Sequence, residues 1–113
     1  MKIVRFVGNA KNELSAFPAP VRVRAGHELF LVQMGRNPAD WKPMTSVGAG
    51  VREIRVRDES GAFRVIYVAG FGDAVYVLHA FKKTTQKTPQ LNLELAKQRY
   101  RTARALAKGA NDG

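Results

Sequence analysis

VREIRVRD at 51–58, AFRVIYVA at 62–69 and AVYVLHAFK at 74–82 are three consecutive runs with a two-residue hydrophobic period. Alternation of this kind is the signature of β-strands, because successive side chains on a strand point to opposite faces. Glu59-Ser60-Gly61 and Gly70-Phe71-Gly72-Asp73 separate the runs and supply turn residues, so the three strands are expected to form an antiparallel meander. The central run is apolar on both faces except at Arg64. Such a strand belongs where helices cover one face of the sheet and a further element partly covers the other.

Outward from the meander, Lys2–Val7 is short, β-branched and apolar enough for a first strand. Asn9 can cap a short helix through about Phe17, which Pro18 and Pro20 end. Val21, Ala25, Leu29 and Val32 recur at helical spacing beyond Pro20, and Gly35 suits the C-terminal cap. Residues 36–43 lack periodicity, contain Pro38 and Pro43 and carry the only Trp, Trp41, so they read as a loop packed down on the core. On the C-terminal side Thr88-Pro89 opens a helix whose stripe is Leu93, Ala96, Tyr100, Ala103 and Ala107. That helix is expected to end near Lys108, with 109–113 as a disordered tail. The expected fold is α+β, a single domain over 1–108 with a four-stranded, mainly antiparallel sheet in the order β-α-α-β-β-β-α. Two helices would cover one face and the terminal helix would lie near the other.

The chain has 113 residues with 19 Lys+Arg against 9 Asp+Glu, a formal charge of +10, and no cysteine. Disulfide frameworks, thiol nucleophiles and cysteine-based zinc sites are thereby excluded. His27 and His79 are far apart in sequence, which argues against a histidine metal site, so no cofactor is expected. Apolar runs fall well short of the roughly 20 residues a spanning helix needs, and Met1–Val7 does not have the makings of a signal peptide. No membrane partner is expected and the default location is cytoplasmic. The positive excess points to a polyanionic partner, nucleic acid first, because each phosphate neutralised releases condensed counterions.

Glu53, Arg55 and Arg57 share one face of the first meander strand, Arg64 interrupts the central one, and Lys82 and Lys83 leave the last beside Phe81. Converging across adjacent strands, these cations would surround one carboxylate, Glu53, and one imidazole, His79. Such a cluster suits a phosphodiester. An RNA strand can be cut through attack by its own 2′-hydroxyl, with arginine stabilising the phosphorane and a proton donor serving the departing 5′-oxygen. Each residue also has a plainer reading. Glu53 can be an ion-pair partner, His79 a structural residue among Val77 and Phe81, and the two lysines a solvated strand end. Tyr67 and Tyr76 are read as core. Arg57, Lys87, Arg99 and Arg101 are candidates to grip RNA backbone, with Arg104 beside them, or form a soluble surface.

Gly50–Val56 (GVREIRV), the hairpin into Phe63–Tyr67 (FRVIY), and above all His79–Pro89 (HAFKKTTQKTP) resemble the phage-derived HigB-like branch of the RelE/ParE toxin superfamily. The resemblance covers nearly the whole chain. It implies a type II toxin that cleaves messenger RNA on translating ribosomes without a metal and is held inactive by a cognate helix-turn-helix antitoxin. It also implies that Arg55, Arg64, Lys82 and Lys83 occupy the family's basic positions. Glu53 departs from the pattern, since better-known RelE proteins carry a lysine there. Tyr100, on an apolar stripe, does not match their base-stacking C-terminal tyrosine. ParE-like members share the architecture but poison DNA gyrase, and a module that only binds RNA or the ribosome would use the same charges for grip.

Overall fold

The computed structural model describes residues 1–112. Its elements are β1 (Ile3–Phe6), α1 (Ala10–Ser15), α2 (Ala19–Gln33), β2 (Trp41–Pro43), β3 (Val51–Asp58), β4 (Gly61–Val68), β5 (Ala74–Lys83) and α3 (Gln90–Asp112). The sheet has five strands in the order β1-β5-β4-β3-β2, so the expected four-stranded sheet is corrected by one. The extra strand is β2, which lies inside the segment read as a loop and pairs antiparallel with Arg52–Ile54 of β3. Three residues are too few to show a period, and Pro43 is tolerated because β2 lies at the sheet edge. Trp41 packs under the guanidinium of Arg52, 4.1 Å from the ring centroid, instead of capping the core.

β3, β4 and β5 form the antiparallel meander, and β1 adds to β5 in parallel through Ile3–Phe6 opposite Ala74–Val77. The chain returns from β1 through α1 and α2, which pack on one face of the sheet. Leu14, Val21, Ala25 and Leu29 of these helices, with Phe17 from the link between them, meet Ile54, Val56, Phe63 and Val65 there. On the other face, Ala96, Tyr100, Ala103 and Ala107 of α3 pack on Ile66, Val68, Tyr76 and Leu78. Both faces of β4 are therefore covered along most of its length, which explains its nearly uninterrupted apolar run. Tyr67 and Tyr76 are buried, as read from sequence.

The α2 helix starts at Ala19, one residue before Pro20, whose missing N–H costs nothing in a first turn. Its end is set by Gly35, which takes φ +79°. Gly48 answers to packing: a Cβ there would lie 2.3 Å from the Tyr100 ring, whose hydroxyl donates to the Ala49 carbonyl at 2.9 Å. The α3 helix runs past Lys108 to Asp112, so residues 109–112 of the expected tail are helical, and Gly113 lies outside the described residues. Among the described residues no helix is long and apolar enough to cross a membrane.

Candidate functional site

The site is a grid of side chains on the α3-facing side of β3, β4 and β5, beyond the part that α3 covers. Its first row is Arg57–Ala62–Lys83, its second Arg55–Arg64–Phe81 and its third Glu53–Ile66–His79, with β2 extending the third through Lys42. Strands lie about 4.8 Å apart and same-face neighbours along a strand about 7 Å apart, so Arg55, Arg57, Arg64 and Lys83 share one small area. They line an open cavity of about 500 Å³, closed on one side by Thr84, Thr85 and Gln86.

Arg55 and Arg64 are directly opposite each other across β3 and β4, a placement in which like charges repel. Arg64 is 2% exposed. Its Nε lies 3.3 Å from Glu53 Oε1, and Glu53 is itself 0% exposed. Lys42 Nζ stands 3.9 Å from the same carboxylate oxygen, and Asp40 lies 4.0 Å from Arg55. Glu53 thus sits beneath the cluster as an anchor for Arg64. Burial lowers the Arg64 guanidinium below its ordinary pKa, against the pull of Glu53, with Arg55 and Arg57 adding to the lowering. Burial, followed by repulsion from Arg64, also lowers the Lys83 ammonium below its ordinary pKa, so it gives up its proton more readily than a free lysine.

Lys82 is not part of this grid. Between Tyr67↔Val77 and Ile66↔His79 the register shifts, and Leu78 is the extra residue of a β-bulge in β5. A bulge reverses which side chains face which way from that point on. Lys83 therefore reaches the cationic cavity, whereas Lys82 projects to the α1 face, 5.9 Å above the Phe63 ring. His79 likewise leaves the face of Val77 and stacks on Phe81, ring centroids 5.1 Å apart.

His79 and Arg99 are engaged in a second polar cluster. His79 Nδ1 is 2.9 Å from Glu13 Oε1 and its Nε2 is 2.5 Å from Asn92 Oδ1. Arg99 donates to the same Glu13 oxygen at 2.7 Å and to the Leu78 carbonyl at 3.0 Å, and the Ala80 N–H reaches Glu13 at 3.3 Å. These bonds close the edge of β5 beyond the end of β1. Burial pushes the Glu13 carboxyl up, but hydrogen bonds from Arg99 and His79 outweigh it and hold the pKa below 4.5. Lys87 is exposed in the loop after β5, and Arg101 is exposed on α3 beside Gly70 and Phe71, away from the grid.

Sequence reasoning missed Lys42 and Glu13. Lys42 lay in the segment taken for a loop. Glu13 is one carboxylate on a six-residue helix, and nothing local signals that His79 and Arg99 converge on it. Among the described residues, no group of three or more His, Asp or Glu could hold a metal ion.

A mixed sheet with this helix arrangement defines a RelE-like fold. The isolated RelE toxin of E. coli superposes with a TM-score of 0.55 at 17% identity, covering 87% of this chain and 98% of that one. The toxin–antitoxin complex RelBE2 from Mycobacterium tuberculosis gives a TM-score of 0.52 at 20% identity, covering 73% of this chain and 98% of the matched one. Residues 12–101 match the family described as phage-derived protein Gp49-like (DUF891), and the chain belongs to that family. No curated protein matches it in sequence.

Proposed function

We propose that this protein is the toxin of a type II toxin–antitoxin system, of the phage-derived HigB-like branch, and a metal-independent endoribonuclease of messenger RNA on translating ribosomes. The observation that carries the reading is Arg55 opposite Arg64, with Arg57 and Lys83 in the next row. Four cations share a cavity at a cost in stability that a bound phosphodiester would relieve. A surface that only inhibits another protein has no use for a buried arginine aimed at an anion. The likeness to a toxin crystallised with its antitoxin supports a cognate antitoxin for this chain, as does the sequence resemblance, which adds that it is a helix-turn-helix protein.

In this reading Arg55 and Arg64 hold the scissile phosphate. The 2′-hydroxyl of the preceding ribose gives its proton to solvent water as its oxygen attacks phosphorus, the bond from phosphorus to the 5′-oxygen breaks, and a 2′,3′-cyclic phosphate and a 5′-hydroxyl result. The arginines carry the charge that a metal would otherwise stabilise. Lys83 gives the proton that the 5′-oxygen gains. Glu53 is a positioning residue that fixes Arg64, and Arg57 with Lys87 follows the backbone. His79 and Arg99 support the scaffold through Glu13.

The test is induction of the wild-type chain beside Arg64→Lys, which keeps a cation for Glu53 but loses the planar fork. New 5′ ends within translated messages, in step with growth arrest and absent from the variant, are expected. Arrest with intact messages and a DNA-damage response would replace the ribonuclease with a gyrase poison. Activity that EDTA abolishes and Mg²⁺ restores would reject the metal-free reaction.

A further inference from the structure

A second cavity, of about 400 Å³, lies at the other end of the meander and on the opposite face, between the end of α2 and the β3–β4 pair. Tyr67, cross-strand partner of Arg52, forms part of its wall. Tyr67 is 1% exposed, and its hydroxyl, which lies beside the Arg52 guanidinium, has no acceptor within hydrogen-bond distance. Burial raises its pKa against the opposing pull of Arg52, and because arginine offers donors only, the phenol's own proton is left without an acceptor. Three cations, Lys2, Arg36 and Arg52, line the same cavity, and no carboxylate is among the residues lining it.

Arg52 is held in place by neutral groups alone: its Nη1 donates to Asn37 Oδ1 at 3.0 Å and its guanidinium lies on Trp41. Lys2 bonds through Nζ to the Ala69 carbonyl, also neutral. Fixed cations without counter-charge and a buried hydroxyl without an acceptor share one need, an anion that accepts hydrogen bonds. Gly35, Gly50 and Gly70 contribute only backbone to the wall.

We propose that this cavity binds a phosphate group, free or carried by a mononucleotide, as a site separate from the Arg55–Arg64 cavity. The proposal does not depend on the toxin reading. Titrating the full chain with inorganic phosphate, and in parallel with adenosine 5′-monophosphate, at constant ionic strength tests it. Saturable amide shifts in nuclear magnetic resonance spectra are expected at Gly35, Gly50 and Gly70, and they should persist in Arg64→Lys. Tighter binding of the nucleotide would identify it as the ligand, whereas equal binding would identify phosphate itself.

Tyr67→Phe should weaken that binding about tenfold while leaving the unliganded melting temperature unchanged or higher. Arg52→Gln should weaken it at least as much. Unchanged affinity in folded Tyr67→Phe, or shifts confined to residues 55–64 and 83–86, would overturn the proposal.

Discussion

Two buried polar clusters lie on the same sheet, one at β5 and one across β3 and β4, and they are built in opposite ways. Around Glu13, one carboxylate oxygen meets Arg99, His79 and the Ala80 N–H, and His79 has a partner at each ring nitrogen. Around Arg64, both oxygens of Glu53 and the Arg64 Nε lie buried without a well-formed hydrogen bond, and two arginines face each other across the strands. A satisfied network tightens a fold, whereas buried groups left short of partners weaken it by about 1–3 kcal/mol each. The first cluster is explained by closing a strand edge. The second has no such structural account, and the phosphodiester of the proposed function is what would complete it.

The comparison breaks first at Arg64. Arg64→Lys should lower messenger cleavage by about 100- to 1,000-fold, the usual effect of removing one transition-state donor, with little change in melting temperature. Arg64→Ala should instead strand the buried Glu53 carboxylate and destabilise the fold by about 3 kcal/mol. Comparable unfolding midpoints for Arg64→Ala and wild type would show that Glu53 does not depend on this arginine.

Glu13→Gln should do the reverse. Denaturant unfolding should show a loss of about 2 kcal/mol, while cleavage per folded molecule stays within about twofold of wild type. Because the folded-state pKa of Glu13 lies below 4.5, its contribution is fully present above that value and is lost as pH falls through the lowered folded-state pKa. The stability gap between wild type and Glu13→Gln should therefore close in acid. A gap that is constant with pH would mean that the network works through packing alone.

Lys83 sharpens the comparison from the side of chemistry. Lys83→Gln should slow cleavage by about 100-fold, in the range of general-acid catalysis. As the donor, Lys83 must be protonated, so the wild-type rate should decline as pH rises through a value below 10.5, the ordinary lysine pKa. Stability should move the other way over the same interval, because the folded chain binds fewer protons there than the unfolded one. A rate profile that is flat across that interval would take the proton-donor role from Lys83.

Much of this arrangement was legible in the sequence. The meander strands fall where alternation puts them to within a residue, because each run is long enough to show a period and is bounded by glycine-bearing turns. The core stripes of α2 and α3 were equally plain. The cationic face was legible for Arg55, Arg57 and Arg64, since parity on β3 and β4 is unbroken. Parity failed on β5, where one extra residue at Leu78 leaves no mark in composition. β2 was hidden by its three-residue length, and Glu13 by a sequence separation of 66 residues from His79. Tertiary contacts of that kind have no local signature.

The smallest expected effect tests the bulge itself. Lys82 and Lys83 are identical in sequence terms, and strict alternation would send Lys82, not Lys83, to the α3 side with Tyr76 and Leu78. With Leu78 bulged, Lys82 lies over Phe63 on the α1 side. Lys82→Ala should then leave cleavage within about twofold of wild type and change stability by about 0.5 kcal/mol or less, as expected for an exposed cation over one aromatic ring. Deleting Leu78 in the Lys82→Ala background would restore alternation but remove the register that sets His79 against Asn92, so the single substitution is the cleaner comparison. A Lys82→Ala loss equal to that of Lys83→Gln would place both lysines at the phosphate and would require β5 to pair without the bulge.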